Sequence, residues 1–327
     1  MRTVDIAIVG GGIAGILAAR KLRENGRDVL VLDKSKSVGG RLATRRIDAG
    51  RADHGAQFFT VRTEMFQQLV DEWEEHGWVT RWFGEKHARY KSTAGMNQLV
   101  KHLAKEVPVQ LTSKVEHVGR EGDMYIIVSE EGESVKASTV LLTLPAPQAL
   151  QLLETSNVQV ADHARKSLSH ITFDPAIVGL VTLDGEASTG LPPSGHQDEG
   201  LPEGIERIVD SYAKGISSER IMSIYANTEL SKALYSEEDD VILSKMMKRV
   251  SHLINADRVQ SSQLKRWRYA QASNVHHAPT LRVSDQESIW VAGDAFLRSD
   301  DKSGRTRIES AVLSGLAAAS NILDLSR

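Results

Sequence analysis

The opening segment of the chain has the hydrophobic pattern of a strand, a helix and a second strand. The largely apolar run at 4–9 ends at a glycine, and apolar residues then recur at helical spacing between 13 and 23. A glycine at position 26 is suited to end that helix, and the run at 29–32 is entirely apolar, as in strands that a parallel sheet buries on both faces. Residues 1–33 therefore predict a β-α-β unit.

Strand and helix patterns continue to alternate through the rest of the chain. We predict helices at 64–75 and 96–106, strands at 125–129 and 139–144, and near the C-terminus a strand at 288–294 followed by a helix at 308–323. Between about 173 and 268 the pattern changes to longer strands, at 176–183 and 221–225, with helices at 229–235 and 241–254. The segment 188–204 is rich in proline and glycine and predicts a mobile surface loop, either a lid or an insertion.

The two patterns together predict an α/β fold with two domains. One is a Rossmann-type nucleotide-binding domain assembled from both ends of the chain, and the other is an α+β substrate domain inserted between them. The expected boundaries are 1–60, 95–165 and 264–327 for the first domain, and 61–94 and 166–263 for the second.

Composition narrows the classes of function. The chain has 327 residues, of which 41% are hydrophobic, and a formal net charge of −3, so it carries no overall field that would attract nucleic acid or an anionic membrane. The absence of cysteine excludes disulfides, thiolate nucleophiles and a cysteinyl cofactor linkage. The histidines show no metal-ligand spacing such as His-Glu-x-x-His, so we expect no metal site.

Targeting signals are not evident in the sequence. The apolar run at 6–9 passes directly into glycines, unlike a signal peptide. The apolar stretch at 311–325 is interrupted by polar residues and falls short of the roughly 20 apolar residues that span a bilayer. We therefore expect a cytoplasmic protein without a nucleic-acid or membrane partner.

A glycine-rich turn lies between the first strand and the first helix. Gly10, Gly12 and Gly15 form the pattern Gly-x-Gly-x-x-Gly, in which the first permits the turn, the second admits a pyrophosphate and the third allows close helix packing. The first helical turn offers free backbone N–H groups and the positive end of the helix dipole. Asp33 ends the second strand about 20 residues later, where its carboxylate can accept hydrogen bonds from a ribose. These residues predict a site for an adenine dinucleotide, and NAD and FAD both contain that half.

Three further motifs resemble those of the FAD-dependent amine oxidase superfamily. Positions 37–44, Ser-Val-Gly-Gly-Arg-Leu-Ala-Thr, resemble its diphosphate-binding motif, and Gly293-Asp294 resembles its late flavin motif. The stretch at 53–57, Asp-His-Gly-Ala-Gln, is similar to one in the renalase-like branch of that superfamily. The resemblance implies bound FAD that is not linked through cysteine. It also implies the two-domain architecture of amine oxidases and of p-hydroxybenzoate hydroxylase.

The resemblance also implies which residues contact the cofactor. Arg41 would neutralise the diphosphate, Gln57 would line the isoalloxazine ring, and Asp294 would meet the ribityl or diphosphate region. The full set of expected FAD contacts comprises Gly10, Gly12, Ile13, Ala14, Gly15, Asp33, Lys34, Gly39, Gly40, Arg41, Gly55, Ala56, Gln57, Val115, Gly293, Asp294 and Ile308.

Substrate contacts are expected from aromatic and basic residues. An aromatic wall is expected from four residues, each of which core packing explains equally well: Phe59, Tyr90, Trp267 and Tyr269. Arg298, Arg305 and Arg307 precede the last helix and could bind substrate phosphates, although each alone is also typical of a solvated loop. No side chain stands out as a catalytic acid or base.

By resemblance, the expected function is that of a renalase-like oxidase. Such an enzyme oxidises dihydronicotinamide dinucleotides that carry hydride at the wrong ring carbon to NAD(P)+, and it reduces O2 to H2O2. Its partners would be a small nucleotide substrate and O2. Two alternatives stay open: an FAD-dependent amine oxidase acting on a small amine, and a non-redox flavoprotein or FAD-binding partner protein. The sequence indicates neither the oligomeric state nor a preference between NAD and NADP.

Overall fold

A computed structural model describes residues 1–156, 158–185 and 187–325. Its strands, in chain order, are β1 (Arg2–Val9), β2 (Val29–Leu32), β3 (Thr44–Ile47), β4 (Gly50–Asp53), β5 (Val79–Phe83), β6 (Arg89–Ser92), β7 (Val109–Gln110), β8 (Val115–Glu121), β9 (Met124–Ser129), β10 (Ser134–Leu142), β11 (Phe173–Leu183), β12 (His196–Gln197), β13 (Ile205–Asp210), β14 (Ile221–Ala226), β15 (Val259–Ala272), β16 (Leu281–Arg282) and β17 (Ile289–Val291). The helices are α1 (Ile13–Glu24), α2 (Glu64–Glu75), α3 (Met96–Leu103), α4 (Ala146–Thr155), α5 (Asp162–His170), α6 (Thr228–Leu234), α7 (Asp239–Arg249) and α8 (Ile308–Leu325), with a 3-10 turn at Ala256–Arg258.

The first domain is built on an eight-stranded sheet. Its main path is β16-β17-β10-β1-β2-β7, in which β17, β10, β1, β2 and β7 are parallel and β16 is antiparallel. Strands β8 and β9 extend it through antiparallel pairing of β9 with β10. All four residues of β2 are buried, as expected for a strand covered on both faces. The predicted β-α-β unit is therefore present, and its strands lie at the centre of the sheet.

Helices α1 and α8 cover one face of this sheet and pack against each other. A Cβ on Gly315 would overlap the Ala14 carbonyl oxygen, so a glycine is needed where the two helices cross. Helix α8 is long and apolar enough to cross a membrane, but 61% of it is buried inside the molecule. Packing within the fold therefore accounts for its apolar composition.

The second domain is built on a five-stranded antiparallel sheet in the order β12-β13-β14-β11-β15. Helices α6 and α7 pack on it around a core that includes Ile224, Ile242 and Met246. The sheet extends from 173 to 272, past the expected boundary at 263, because β15 continues to pair with β11 up to Ala272. Part of the 188–204 segment joins this sheet as β12.

The segment 61–94, predicted for the second domain, is divided in the structure: α2 lies with the first domain, and the β5-β6 hairpin contacts both domains. Phe66, Val70 and Trp73 on the buried face of α2 share one core with α1 and α3. Glu309 at the start of α8 accepts a hydrogen bond from the Thr63 backbone N–H at 2.8 Å, which holds the beginning of α2. The expected domain ranges also run over 157, 186 and 326–327, which lie outside the described residues.

Candidate functional site

The carboxyl ends of the parallel strands form a crevice at one edge of the first sheet. Gly10, Asp33 and Thr143 directly follow β1, β2 and β10, and Gly293 is the second residue after β17. The Thr143 hydroxyl donates a hydrogen bond to the Gly10 carbonyl at 2.9 Å, which joins two of these connections. Ligands of open α/β sheets bind at this edge, so the fold places the predicted dinucleotide motifs together.

The three glycines of the first turn have different surroundings. A Cβ on Gly15 would overlap the Gly10 carbonyl oxygen, so Gly15 is required for the close approach of α1 to β1. A Cβ on Gly12, by contrast, would have no atom within 4 Å. Helix α1 begins after Gly12 with no side-chain cap and no acidic residue in its first turn. The start of α1, with Ile13 and Ala14, therefore leaves room and backbone donors for a pyrophosphate.

Asp33 braces the glycine turn from the end of β2. Its Oδ2 accepts a hydrogen bond from the Gly11 N–H at 2.6 Å, and its Oδ1 accepts one from the Ser35 N–H at 2.7 Å. The neighbouring Lys34 is exposed, and Val115 begins β8 at a half-buried position. Asp33 is thus placed where a ribose would meet it, with lone pairs remaining on both oxygens.

The diphosphate-binding motif closes over the same turn. The Gly39 N–H donates to the Gly11 carbonyl at 2.9 Å, and Gly40 has a φ of 54°, which favours glycine. Arg41 then pairs with Asp294 through two hydrogen bonds, at 2.8 and 2.5 Å. The two residues expected to contact FAD separately therefore contact each other, and they tie the motif to the connection that follows β17.

The stretch at 53–57 runs beside Arg41. The Ala56 N–H donates to the Arg41 carbonyl at 2.9 Å, and a Cβ on Gly55 would overlap that carbonyl oxygen. Gly293, across the crevice, would have no atom within 4 Å of an added Cβ. Open space beside Gly12 and Gly293, together with the uncapped start of α1, fits an extended dinucleotide such as FAD.

A fully buried polar network joins this stretch to the second domain. Lys214, in the turn after β13, donates to Asp53 Oδ2 at 2.6 Å, to Gln57 Oε1 at 2.7 Å and to the Gln57 carbonyl at 2.8 Å. Gln57 Nε2 donates to the Tyr225 hydroxyl at 2.5 Å, and that hydroxyl donates to the Gly55 carbonyl at 2.8 Å. Asp53 also accepts from the Met96 N–H at 2.8 Å. Sequence analysis missed Lys214 because nothing in its local sequence distinguishes it from a surface lysine.

Burial shifts the ionisation of this network. Desolvation lowers the pKa of Lys214, and the nearby Asp53 carboxylate opposes that shift. Desolvation likewise raises the pKa of Tyr225, so its hydroxyl stays protonated and can donate. Burial, together with Lys265, lowers the pKa of His54 to about 4. The junction between the domains therefore holds a neutral imidazole and a neutral phenol beside one ion pair.

The predicted aromatic wall is not assembled as a unit. Phe59 is buried in the core of the first domain, which corrects its assignment as a substrate contact, and Tyr90 stacks on it with ring centroids 5.6 Å apart. Trp267 stacks on His54, and its Nε1 donates to the His54 carbonyl at 2.7 Å. Tyr269 instead packs edge-on against Phe173. These rings therefore lie in separate packing contacts.

The arginines before α8 form ion pairs within their own loop. Arg298 Nε donates to Asp300 at 2.9 Å, and Arg307 donates to Asp301 at 2.5 Å. Arg305 is exposed, and Ile308 begins α8 at a half-buried position. Two of the three charges expected to bind phosphate are therefore balanced by neighbouring carboxylates.

A second pair of arginines, which sequence analysis missed, surrounds Phe58. The guanidinium carbon of Arg89 lies 5.3 Å from the Phe58 ring centre, and that of Arg207 lies 5.2 Å from it. The rings of Trp82 and His196 also pack edge-on against Phe58. Phe58 directly follows Gln57, so this cluster adjoins the buried network.

Comparison with known proteins identifies the family. A family model described as flavin containing amine oxidoreductase matches residues 73–323, and a model of the NAD(P)-binding Rossmann-like domain matches residues 8–73. The chain belongs to the flavin containing amine oxidoreductase family. This membership confirms the predictions of an FAD-dependent oxidoreductase, of FAD as its cofactor and of the two-domain α/β fold.

Individual known proteins are similar to parts of the chain. The AofH protein of Mycobacterium tuberculosis, whose name describes a flavin-containing monoamine oxidase, is 46% identical over 70 residues, or 21% of this chain and 15% of that protein. Mouse (Mus musculus) renalase is 24% identical over 187 residues, or 51% of this chain and 55% of that protein. The chain thus matches little more than half the length of one relative and far less of the other.

A solved structure agrees with the fold over the whole chain. A protein from Exiguobacterium sp. 255-15 that carries the name protoporphyrinogen oxidase superposes with a TM-score of 0.72 at 13% identity, and covers 100% of this chain and 99% of its own. At that identity the likeness concerns the fold alone. Within the family, FAD supplies a two-electron acceptor that can pass its electrons on to O2. The residues around Gly12, Arg41 and Gly293 would hold it here.

Proposed function

We propose that the chain is an oxidase of misreduced dihydronicotinamide dinucleotides. The net reaction takes a hydride from the dihydropyridine ring and a proton from solvent and transfers both to O2, so that NAD(P)+ and H2O2 are formed. The reaction therefore balances with O2 as the only oxidant. The partial similarity to mouse renalase and the resemblance of the 53–57 stretch support this substrate class.

The observation that carries the proposal is the mutual bonding of the polar side chains at the domain junction. Asp53, Lys214, Gln57 and Tyr225 bond to one another or to backbone groups, so each is already engaged. His54, with its pKa lowered to about 4, is a weak base at neutral pH. A dihydropyridine suits such a site because it becomes aromatic on losing hydride and needs no base.

The protein's own contribution would be to orient the ring and to exclude water. Lys214 and Tyr225 hold Gln57 from two sides, and Trp267 holds the backbone at His54. A fixed surface of this kind keeps a bound ring in one position relative to its reaction partner. Bound substrate would cover the half-buried Trp267, which would remove water from the reacting carbon.

A small amine is the second candidate substrate, and the similarity to the mycobacterial monoamine oxidase favours it. An amine arrives largely as a cation at neutral pH, so it would be repelled by positive charge near its entrance. The charges beside the junction are Lys91, Lys214, Arg89 and Arg207, opposed by Asp53, Asp198 and Glu206. That balance supports the anionic nucleotide over the cationic amine.

Anaerobic stopped-flow mixing tests the proposal. The FAD-loaded protein is mixed with borohydride-treated NAD+, which contains the misreduced isomers, with ordinary β-NADH and with a panel of amines. We expect rapid loss of the flavin band near 450 nm, roughly where such cofactors absorb, with the isomer mixture only. Bleaching by amines alone would replace the proposal with the amine oxidase alternative, and no bleaching by any of them would refute both.

A further inference from the structure

We infer that Arg89 and Arg207 form, with Phe58, a binding site for the phosphate groups of the substrate. The site lies beside the buried junction network and is formed by the β5-β6 hairpin and by β13 of the second domain. This inference rests on the proposed function for the identity of the substrate. The anion site itself follows from the contacts around Phe58.

The two guanidinium groups converge on one aromatic ring. Arg89 lies 5.3 Å and Arg207 lies 5.2 Å from the Phe58 ring centre, and Arg89 also lies 4.9 Å from the ring of Phe83. Cation–π contact fixes the plane of a guanidinium while leaving its N–H edge available. The geometry therefore holds two guanidinium groups, each with paired N–H donors, against the half-buried ring of Phe58.

Among the residues that the structure describes, Arg89 has no carboxylate within ion-pair distance, and Arg207 has only a loose contact with Glu206. Arg89 makes no side-chain hydrogen bond or ion pair to the described residues, and its Nε is buried without a partner. Arg207 Nε is likewise buried and unpartnered, and its nearest carboxylate is Glu206, at 3.8 Å. Two partly desolvated cations held beside one ring repel each other, and a bound anion would offset that cost.

His196 is a buried residue that packs against Phe58 and lies near both arginines. Its side chain is 2% exposed, and its Nε2 has no hydrogen-bond partner in the described chain, with Asp198 the nearest carboxylate at 3.7 Å. Burial, followed by Arg207, lowers the pKa of His196 to about 4, with Arg89 and Lys214 acting in the same direction and Asp198 opposing them. The ring is therefore a neutral group with a free nitrogen within the cluster, able to accept or donate one further hydrogen bond.

The chemistry of the pair matches a phosphate group. A guanidinium offers planar, paired N–H donors that fit two phosphate oxygens at once, and it does so better than a lysine. Arg298 and Arg307 before α8, in contrast, already pair with Asp300 and Asp301. A dinucleotide whose nicotinamide ring enters the junction would place its diphosphate a short distance away, towards Phe58.

The test uses the FAD-loaded protein, so that the cofactor occupies its own diphosphate site. Inorganic pyrophosphate is titrated into the wild type and into Arg89→Gln, Arg207→Gln and Arg207→Lys by calorimetry. We expect each glutamine variant to weaken pyrophosphate binding by about tenfold or more, because a charge-assisted contact is lost. Arg207→Lys should bind pyrophosphate more tightly than Arg207→Gln but more weakly than the wild type, because lysine keeps the charge and loses the paired N–H donors of the guanidinium.

The matched control is Arg81→Gln on the same hairpin. Arg81 is exposed and donates to the Gly84 carbonyl at 2.6 Å, and among the described residues the cations over the Phe58 ring are Arg89 and Arg207 rather than Arg81. This variant should bind pyrophosphate as the wild type does, and all variants should keep the wild-type melting temperature and FAD content. If the Arg89 and Arg207 variants also bind pyrophosphate with wild-type affinity, the anion site is refuted.

Kinetics with two substrates separate this inference from the proposed function. For the misreduced dinucleotides, the glutamine variants should raise KM about tenfold and leave kcat unchanged, whereas for the phosphate-free dihydronicotinamide riboside they should change neither. A wild type that binds pyrophosphate but oxidises no dihydronicotinamide would refute the proposed function and leave the anion site standing. If the wild type and both glutamine variants oxidise the dinucleotides with the same KM, the phosphate site is refuted and the proposed function stands.

Discussion

Lys214 Nζ lies 2.6 Å from Asp53 Oδ2, and both side chains are fully buried. The lysine belongs to the turn that follows β13 of the second domain, and the aspartate ends β4. Two more bonds from the same ammonium group reach Gln57, so all three of its protons are used. This contact fixes how the 53–57 stretch sits against the second sheet.

Replacing the lysine should destabilise the protein strongly. Lys214→Met leaves the Asp53 charge buried without its partner, so we expect the free energy of unfolding to fall by about 3–5 kcal/mol. Urea unfolding measures the change. The control is Lys232→Met, which removes a lysine that pairs with Asp174 at 2.8 Å but is 51% exposed, and it should cost far less than the loss of Lys214. Equal losses in the two variants would contradict the importance of the buried pair.

Two glycines of the first turn should respond to alanine in opposite ways. Gly15→Ala places a methyl group against the Gly10 carbonyl, so we expect a loss of at least about 2 kcal/mol in unfolding free energy, with or without FAD. Gly12→Ala meets no atom, so the apoprotein should change by less than about 1 kcal/mol while its affinity for FAD falls. Thermal unfolding of the apoprotein and a fluorescence titration with FAD provide the two measurements. Unchanged FAD affinity in Gly12→Ala would place the cofactor elsewhere.

The Arg41–Asp294 pair should matter for cofactor binding more than for folding. Asp294→Asn removes the counter-charge that orients Arg41 across the crevice, so we expect the Kd for FAD to rise about tenfold. Titration of the deflavinated protein with FAD, followed by flavin fluorescence, measures it. Arg165→Gln, which breaks an exposed pair with Glu154, should leave the Kd unchanged. A lower melting temperature with an unchanged Kd would show that the pair is only structural.

Acid should destabilise the protein partly through His54. Its pKa is about 4 in the folded protein and 6.5 in its ordinary state, so between these pH values the unfolded chain binds a proton that the folded chain does not. The unfolding free energy therefore falls as pH decreases through this window, by at most about 3 kcal/mol from this residue. Urea unfolding at pH 7, 6, 5 and 4 should show a shallower decline for His54→Gln than for the wild type. Parallel curves would mean that His54 is protonated in the folded state as well.

Local sequence patterns were sufficient for the elements around the crevice. The strand, turn and helix at the N-terminus, the spacing of Gly10, Gly12 and Gly15, and the position of Asp33 lie within one continuous segment. Their hydrophobic periodicity and glycine spacing specify a β-α-β unit and a dinucleotide site because the interactions involved are close in the chain. The helix predicted at 64–75 was likewise confirmed, while its attachment to the first domain was not evident.

Side chains that are distant in sequence met only in the folded protein. Arg41 reaches Asp294, Lys214 reaches Asp53, and Arg89 and Arg207 both reach the ring of Phe58. No periodicity encodes these contacts, because they depend on how two sheets and a hairpin pack against each other rather than on local conformational preference. The sequence by itself determined the fold class and the cofactor motifs. The tertiary structure alone decided which charges are neutralised and which remain available to a ligand.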